Sequence, residues 1–193
     1  AALKGHADCV EALVEAGANL EATTNNGFPA LLVAAQEGHA GCVEALLKGG
    51  ANPEAATDDG FTGLLMVAQE GHAPCVEALL QRGANQFRFG LVHAQTNNGA
   101  SALTLAAEHG NADCCRLLLR AGADQAVQTK WGTAMERAEA QGHVDVVALL
   151  RDPPTEGSPS QQPVLPEGVP TFGAGAAVVV PGVRQRGEAN GRG

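Results

Sequence analysis

Three histidines each precede a cysteine by three residues: His6 and Cys9, His39 and Cys42, His72 and Cys75. On a helix that spacing stacks an imidazole and a thiol one turn apart, a combination that binds zinc. Zinc takes about four ligands at roughly 2.0 to 2.3 Å from the metal. The pairs recur every 33 residues, and equivalent positions on neighbouring packed helices lie roughly 8 to 10 Å apart, so each pair would offer two ligands and no more. They read instead as structural, with the cysteine filling a small apolar core slot and the histidine sitting in a turn between helices. Cys114-Cys115, which aligns with Cys75-Val76, fits the same pattern. No metal or cofactor is expected.

Other chemistry is equally unsupported. The serines are confined to Ser101, Ser158 and Ser160, and no glycine-rich phosphate loop follows a strand. Catalysis needs polar groups converging on one pocket, whereas residues recurring at a fixed period are spread along a line. The expectation is a protein that is not an enzyme.

Of the 193 residues, 45% are apolar but only 3% are aromatic, and tyrosine is absent. A core built from Ala, Leu, Val and Cys favours closely packed helices over a sheet. The net charge of −9 divides into −8 over residues 1–151 and −1 over 152–193. Such a body repels phosphate backbones, which argues against nucleic acid and anionic membranes as partners. No apolar run approaches the roughly 18 residues needed to span a bilayer. Unpaired cysteines suit a reducing, intracellular compartment, cytoplasmic by default.

These residues must be positioned by a repeat. Gly5, Gly38, Gly71, Gly110 and Gly142 keep a spacing of 33, 33, 39 and 32; Gly17, Gly50, Gly83 and Gly122 share it, as do Gly27, Gly60, Gly99 and Gly132. Three registers on one beat predict a stacked array whose units bury apolar surface against each other. Within one unit, the stretch from Pro29 to His39 reads as a first helix with proline near its start. Cys42, Val43, Leu46 and Leu47 make the apolar stripe of a second, which ends at Gly49-Gly50.

A 33-residue turn and helix-pair unit bearing "GH...VEALL..GAN" resembles the ankyrin repeat, over Ala1 to about Arg151. The resemblance implies an all-α solenoid with β-hairpin fingers. The family's Thr-Pro-Leu-His tetrapeptide is altered here to Pro29-Ala30-Leu31-Leu32, Thr62-Gly63-Leu64-Leu65, Ser101-Ala102-Leu103-Thr104 and Thr133-Ala134-Met135-Glu136. All four histidines are replaced, so the helix starts are expected to be less tightly fixed. "AALKGH" at the start aligns with "AAQEGH" at Ala34–His39. This predicts a first repeat truncated inside its first helix, upstream units removed and an apolar surface uncovered. Glu136, Arg137 and Glu139 on the last first-helix predict a C-terminal cap. Residues 152–193, with 7 of the 10 prolines, are expected to form a disordered tail; Pro163-Val164-Leu165-Pro166 within it has polyproline-ligand spacing but reads as linker.

Residues that break the repeat are the candidates for recognition. The spacing grows by six between Gly83 and Gly99, where "QFRFGLVHAQ" carries Phe87, Arg88, Phe89, Leu91 and Val92. We expect a lengthened hairpin finger there, whose apolar groups either dock a partner or fold back on the next finger. The resemblance further implies contacts from finger tips and the inner face of the first helices. The matching positions are Asn25, Asn26, Phe28, Gln36 and Glu37 in one unit and Asp58, Asp59, Phe61, Gln69 and Glu70 in the next. Asn97, Asn98, Glu108 and His109 follow, then Lys130 and Trp131. Phe28 and Phe61, sharing a register, are expected side by side. Acids along this strip favour a partner with basic groups flanking an apolar anchor.

The reading is a monomeric protein-interaction module that binds another polypeptide. The alternative is a spacer or regulatory segment of a larger multidomain protein, an enzyme or channel, packing on its own neighbouring domains.

Overall fold

The computed structural model describes residues 1–82 and 88–154, without the side chains of Arg82, Arg88 and Phe89. Phe87 and the tail from 155, with its Pro163–Pro166 motif, therefore lie outside the described residues. The described residues fall within one compact unit, Ala1–Ser158.

Helices come in antiparallel pairs. A single 3-10 turn, Ala2–Lys4, precedes α1 (Ala7–Glu15). The complete pairs are α2 (Ala30–Gln36) with α3 (Ala40–Lys48), and α4 (Gly63–Glu70) with α5 (Ala73–Arg82). After the short α6 (Arg88–His93) come α7 (Ala102–Glu108) with α8 (Ala112–Arg120), and α9 (Ala134–Gln141) with α10 (Val144–Arg151). First helices stack in the order α2, α4, α7, α9, and second helices in the order α1, α3, α5, α8, α10. The cysteines explain how closely: Cys42, Cys75, Cys114 and Cys115 are at most 1% exposed, beside Ala34, Ala35, Ala68, Ala106 and Ala107 at 0%.

Each pair is closed by a left-handed glycine followed by a residue that caps the second helix. Gly38 has φ +73° and Gly71 +83°. The capping residue then reaches back one repeat. His39 Nε2 donates to Leu3 O (3.4 Å), His72 Nε2 to Gln36 O (3.2 Å) and His143 Nε2 to Glu108 O (3.0 Å). Asn111, in the same register, donates from Nδ2 to both Ala68 O (2.9 Å) and Gln69 O (2.8 Å). These bonds satisfy carbonyls that a helix C-terminus leaves without an intrahelical partner.

The fingers are minimal. Among the described residues no strand forms; isolated antiparallel bridges, Thr23 with Pro29, Ala56 with Thr62, Gln95 with Ser101 and Thr129 with Gly132, mark each one. A threonine shapes every finger from inside: the Oγ1 atoms of Thr24, Thr57 and Thr96 accept the backbone N–H of Phe28 (3.2 Å), Phe61 (3.1 Å) and Ala100 (3.2 Å), and that of Thr129 accepts from Trp131 N–H (3.1 Å) and donates to Gly132 O (2.8 Å).

Two expectations need correction. Three of the four altered helix starts are not loose: Thr62 and Ser101 hydroxyls accept the N–H of Leu65 (3.4 Å) and Thr104 (3.2 Å), and Thr133 forms a reciprocal capping box with Glu136, whereas no side chain caps α2 at Pro29. Losing the tetrapeptide histidine leaves the hydroxyl cap intact, and at Ser101 the replacing Thr104 bonds to the cap itself at 3.0 Å. The six extra residues do not lengthen a hairpin either. The described part of this insert, Arg88–His93, forms α6, placed before a finger of ordinary length, and Leu91 and Val92 are buried at 0% and 3%. Two adjacent large aliphatics gain more from the core than from a solvated tip.

Candidate functional site

The strip of candidate residues divides into those consumed by the fold and those left available. Leu91 and Val92 belong to the first group, being buried. Asn97 joins them: its Nδ2 donates to Asp58 O (2.9 Å) and its N–H to Asp59 O (3.1 Å), pinning one fingertip to the next. Gly60 is the counterpart, since a β-carbon there would lie 2.8 Å from Asn97 Oδ1. Phe87 and the side chains of Arg88 and Phe89 lie outside the described residues.

Asn25, Asn26, Gln36, Glu37, Asp58, Asp59 and Glu70 are exposed. Gln69 and Glu70 bond to each other at 3.1 Å. The salt bridges among the described residues join Arg116 to Asp113, Arg137 to Glu108 and Arg151 to Glu139. None engages Glu37, Asp58, Asp59 or Glu70, so no ion pair among the described residues compensates this acidic strip.

Three successive units close one cleft of about 220 Å³. Phe61 and Gln69 line it from the first of these units, Asn98, Glu108 and His109 from the second, and Trp131 from the third. Ala100, Thr104 and Leu105, all buried, line it as well. Six candidate positions far apart in sequence thus meet at one place. Phe28 is not among them; it lines a separate cleft of about 370 Å³ with Leu3, Leu13 and Leu20, so the two phenylalanines that share a register serve different surfaces. In that second cleft Leu3 is 55% and Leu13 52% exposed.

Trp131 is the sole tryptophan and is 51% exposed. Lys130 Nζ lies 4.1 Å from its ring centroid and Arg137 Cζ 5.8 Å, both within cation–π range. Arg137 in turn pairs with Glu108, the two side chains being 15% and 29% exposed. The charged residues of α9 are therefore engaged within the fold: Glu136 in the capping box, Arg137 with Glu108 and Glu139 with Arg151.

The buried thiols are chemically quiet. Burial pushes Cys42 up, and Cys75 and Cys114 to about 11; Cys115 reaches about 12, again chiefly through burial. A neutral thiol is neither nucleophile nor metal ligand. Among the described residues no group of three or more His, Cys, Asp and Glu side chains could hold a metal ion. No helix among them is long and apolar enough to cross a membrane.

Sequence reasoning missed the threonine register Thr24, Thr57, Thr96 and Thr129, although its 33, 39 and 33 spacing is as regular as that of the glycines. It also missed the Glu108–Arg137 pair, which joins two units and shows no periodic signal.

The architecture defines a class: stacked helix pairs with short fingers. The chain belongs to the ankyrin repeat family, whose model of three repeat copies matches residues 1–89 and 87–158. Ankyrin repeats are in general protein–protein interaction modules. Comparison with curated proteins gave no match.

Proposed function

We propose that this array binds another polypeptide through its fingers and the inner face of its first helices, without chemistry of its own. The observation that carries the proposal is the cleft in which Phe61, Gln69, Asn98, Glu108, His109 and Trp131 meet. A concave, largely apolar site with a few convergent polar groups is the form that recognition sites take. A half-exposed tryptophan is a frequent energetic anchor at interfaces. The acidic strip on the earlier units suits a partner that brings basic groups together with an apolar anchor.

The test is capture of partners by the whole chain, compared with a Trp131→Ala variant and with a variant outside the cleft, Glu15→Gln. Saturable binding that Trp131→Ala weakens about tenfold or more and Glu15→Gln leaves unaltered supports the proposal; equal binding by all three overturns it.

The second reading, a spacer or regulatory segment packing on neighbouring domains, is favoured by the apolar edge at Leu3 and Leu13. A chain that captures no partner and associates through that edge would favour it over the first.

A further inference from the structure

Resting on the partner-binding reading above, we infer that the occupant of the inner cleft is an extended peptide segment with one apolar anchor side chain and basic residues on one side of that anchor only. A cleft of about 220 Å³ between Phe61 and Trp131 takes a single aliphatic or aromatic side chain rather than a folded surface. Its lining offers apolar contact at Leu105 and Ala100 and side-chain amides at Asn98 and Gln69 for the peptide backbone.

The one-sidedness follows from where the charges fall along the stack. Asp58, Asp59 and Glu70 belong to the first unit of the cleft and Glu37 to the unit before it; no salt bridge among the described residues engages any of them. At the opposite end stand the cations Lys130, over Trp131, and Arg137, whose charge Glu108 already compensates. Among these groups, side-chain charge thus runs from negative at the earlier units to neutral or positive at the last. A segment basic on both sides of its anchor would set one group against Lys130, and like charges there cost binding.

Geometry fixes the spacing as well. Neighbouring helix layers lie roughly 8 to 10 Å apart and an extended chain advances about 3.3 Å per residue, so one unit corresponds to about three residues. Basic residues are then expected about three and about six positions from the anchor. Whether they precede or follow it reports the direction in which the segment runs.

The experiment selects a phage-displayed random 12-residue library, long enough to cross three units, on the immobilised full chain. Selected peptides are then titrated with Trp131 emission as the readout, since no other tryptophan contributes. The expected result is enrichment of one apolar anchor with lysine or arginine about three and six residues away on a single side. Saturable changes in emission should weaken about tenfold for Asp58→Asn/Asp59→Asn/Glu70→Gln. Peptides that move Trp131 emission but carry acidic, two-sided or no charge overturn the inferred chemistry and leave the binding surface standing. Peptides that bind without moving Trp131 emission, and equally well to Trp131→Phe, overturn both the inference and the proposed cleft. Failure to enrich any peptide overturns the extended-segment occupant alone, provided Trp131→Ala still weakens capture of whole partners.

Discussion

The imidazole of His72 lies against Gly38, one repeat earlier, so closely that a β-carbon at Gly38 would sit 2.7 Å from its Nδ1. The same ring donates to Gln36 O at 3.2 Å. The Gly-His dipeptide that marks four of the five units is thus written across two repeats: the histidine of one unit, or Asn111 in its place, closes over the glycine of the unit before. Gly5 meets His39, and Gly110 meets His143, at 2.7 and 2.6 Å. Gly38→Ala should cost about 1 to 2 kcal/mol for the left-handed backbone alone, plus the displacement of the ring. His72→Ala should cost about 1 kcal/mol for the lost bond. Because the steric part requires both side chains, the double variant should be more stable than the two single losses added together. Strict additivity in denaturant unfolding would show that ring and glycine do not touch. His72→Asn should recover much of the His72→Ala loss, since Asn111 already fills that register with two bonds.

The buried thiols make a prediction about alkali. In the unfolded chain they ionise near 9.0, whereas in the fold Cys75 and Cys114 hold their protons to about 11 and Cys115 to about 12. Between those values the folded state binds more protons than the unfolded one, so stability is full below about pH 9 and falls as pH rises toward 12. The urea midpoint should drop across that window, and Cys115→Ala should flatten the drop while lowering stability at neutral pH through lost packing. At pH 8 a thiol-specific disulfide reagent should label exposed Cys9 alone among the five cysteines until the chain unfolds. Rapid native labelling of Cys75 would contradict its burial.

The Glu108–Arg137 pair ties two units beneath Trp131. Glu108→Gln leaves a mostly buried guanidinium without its counter-charge, and a loss of about 1 to 3 kcal/mol is expected. Arg137→Met removes the charge together with a buried Nε that has no hydrogen-bond partner, so its cost should be smaller despite the larger chemical change. The order of the two urea midpoints decides the matter, and Arg137→Met as the worse variant would mean that the arginine contributes mainly by packing.

How far the sequence reveals these features depends on whether they recur. The helix pairs, their boundaries and the structural role of His39 and Cys42 are legible because each contributes once per unit, and repetition averages out local ambiguity. Position 104 shows where that reasoning falls short: it counts as a lost histidine, yet Thr104 keeps the function by bonding to Ser101. The stretch 88–93 reads as hairpin because its apolar residues break the repeat, but burial of Leu91 and Val92 needs only one extra helical turn beside α5, which no periodic signal announces. Of the candidate site, positions carried over by register are recovered, while their sorting depends on pairwise contacts such as Asn97 with Asp58 O that a linear pattern does not encode.

Leu13 and Leu46 occupy the same register on consecutive second helices, yet one is 52% exposed and the other 2%. The difference arises because Leu46 is covered by α2, whereas only the single turn Ala2–Lys4 stands before α1. Leu46→Ala should therefore cost about 2 to 5 kcal/mol by leaving a cavity. Leu13→Ala, losing surface already half wet, should cost under about 1 kcal/mol. The exposed pair Leu3 and Leu13 also forms an apolar patch prone to association. Leu3→Gln/Leu13→Gln should reduce concentration-dependent light scattering without shifting the unfolding midpoint by more than about 1 kcal/mol. If Leu13→Ala instead destabilises as strongly as Leu46→Ala, this edge is covered in solution and the leucine is a core residue there too.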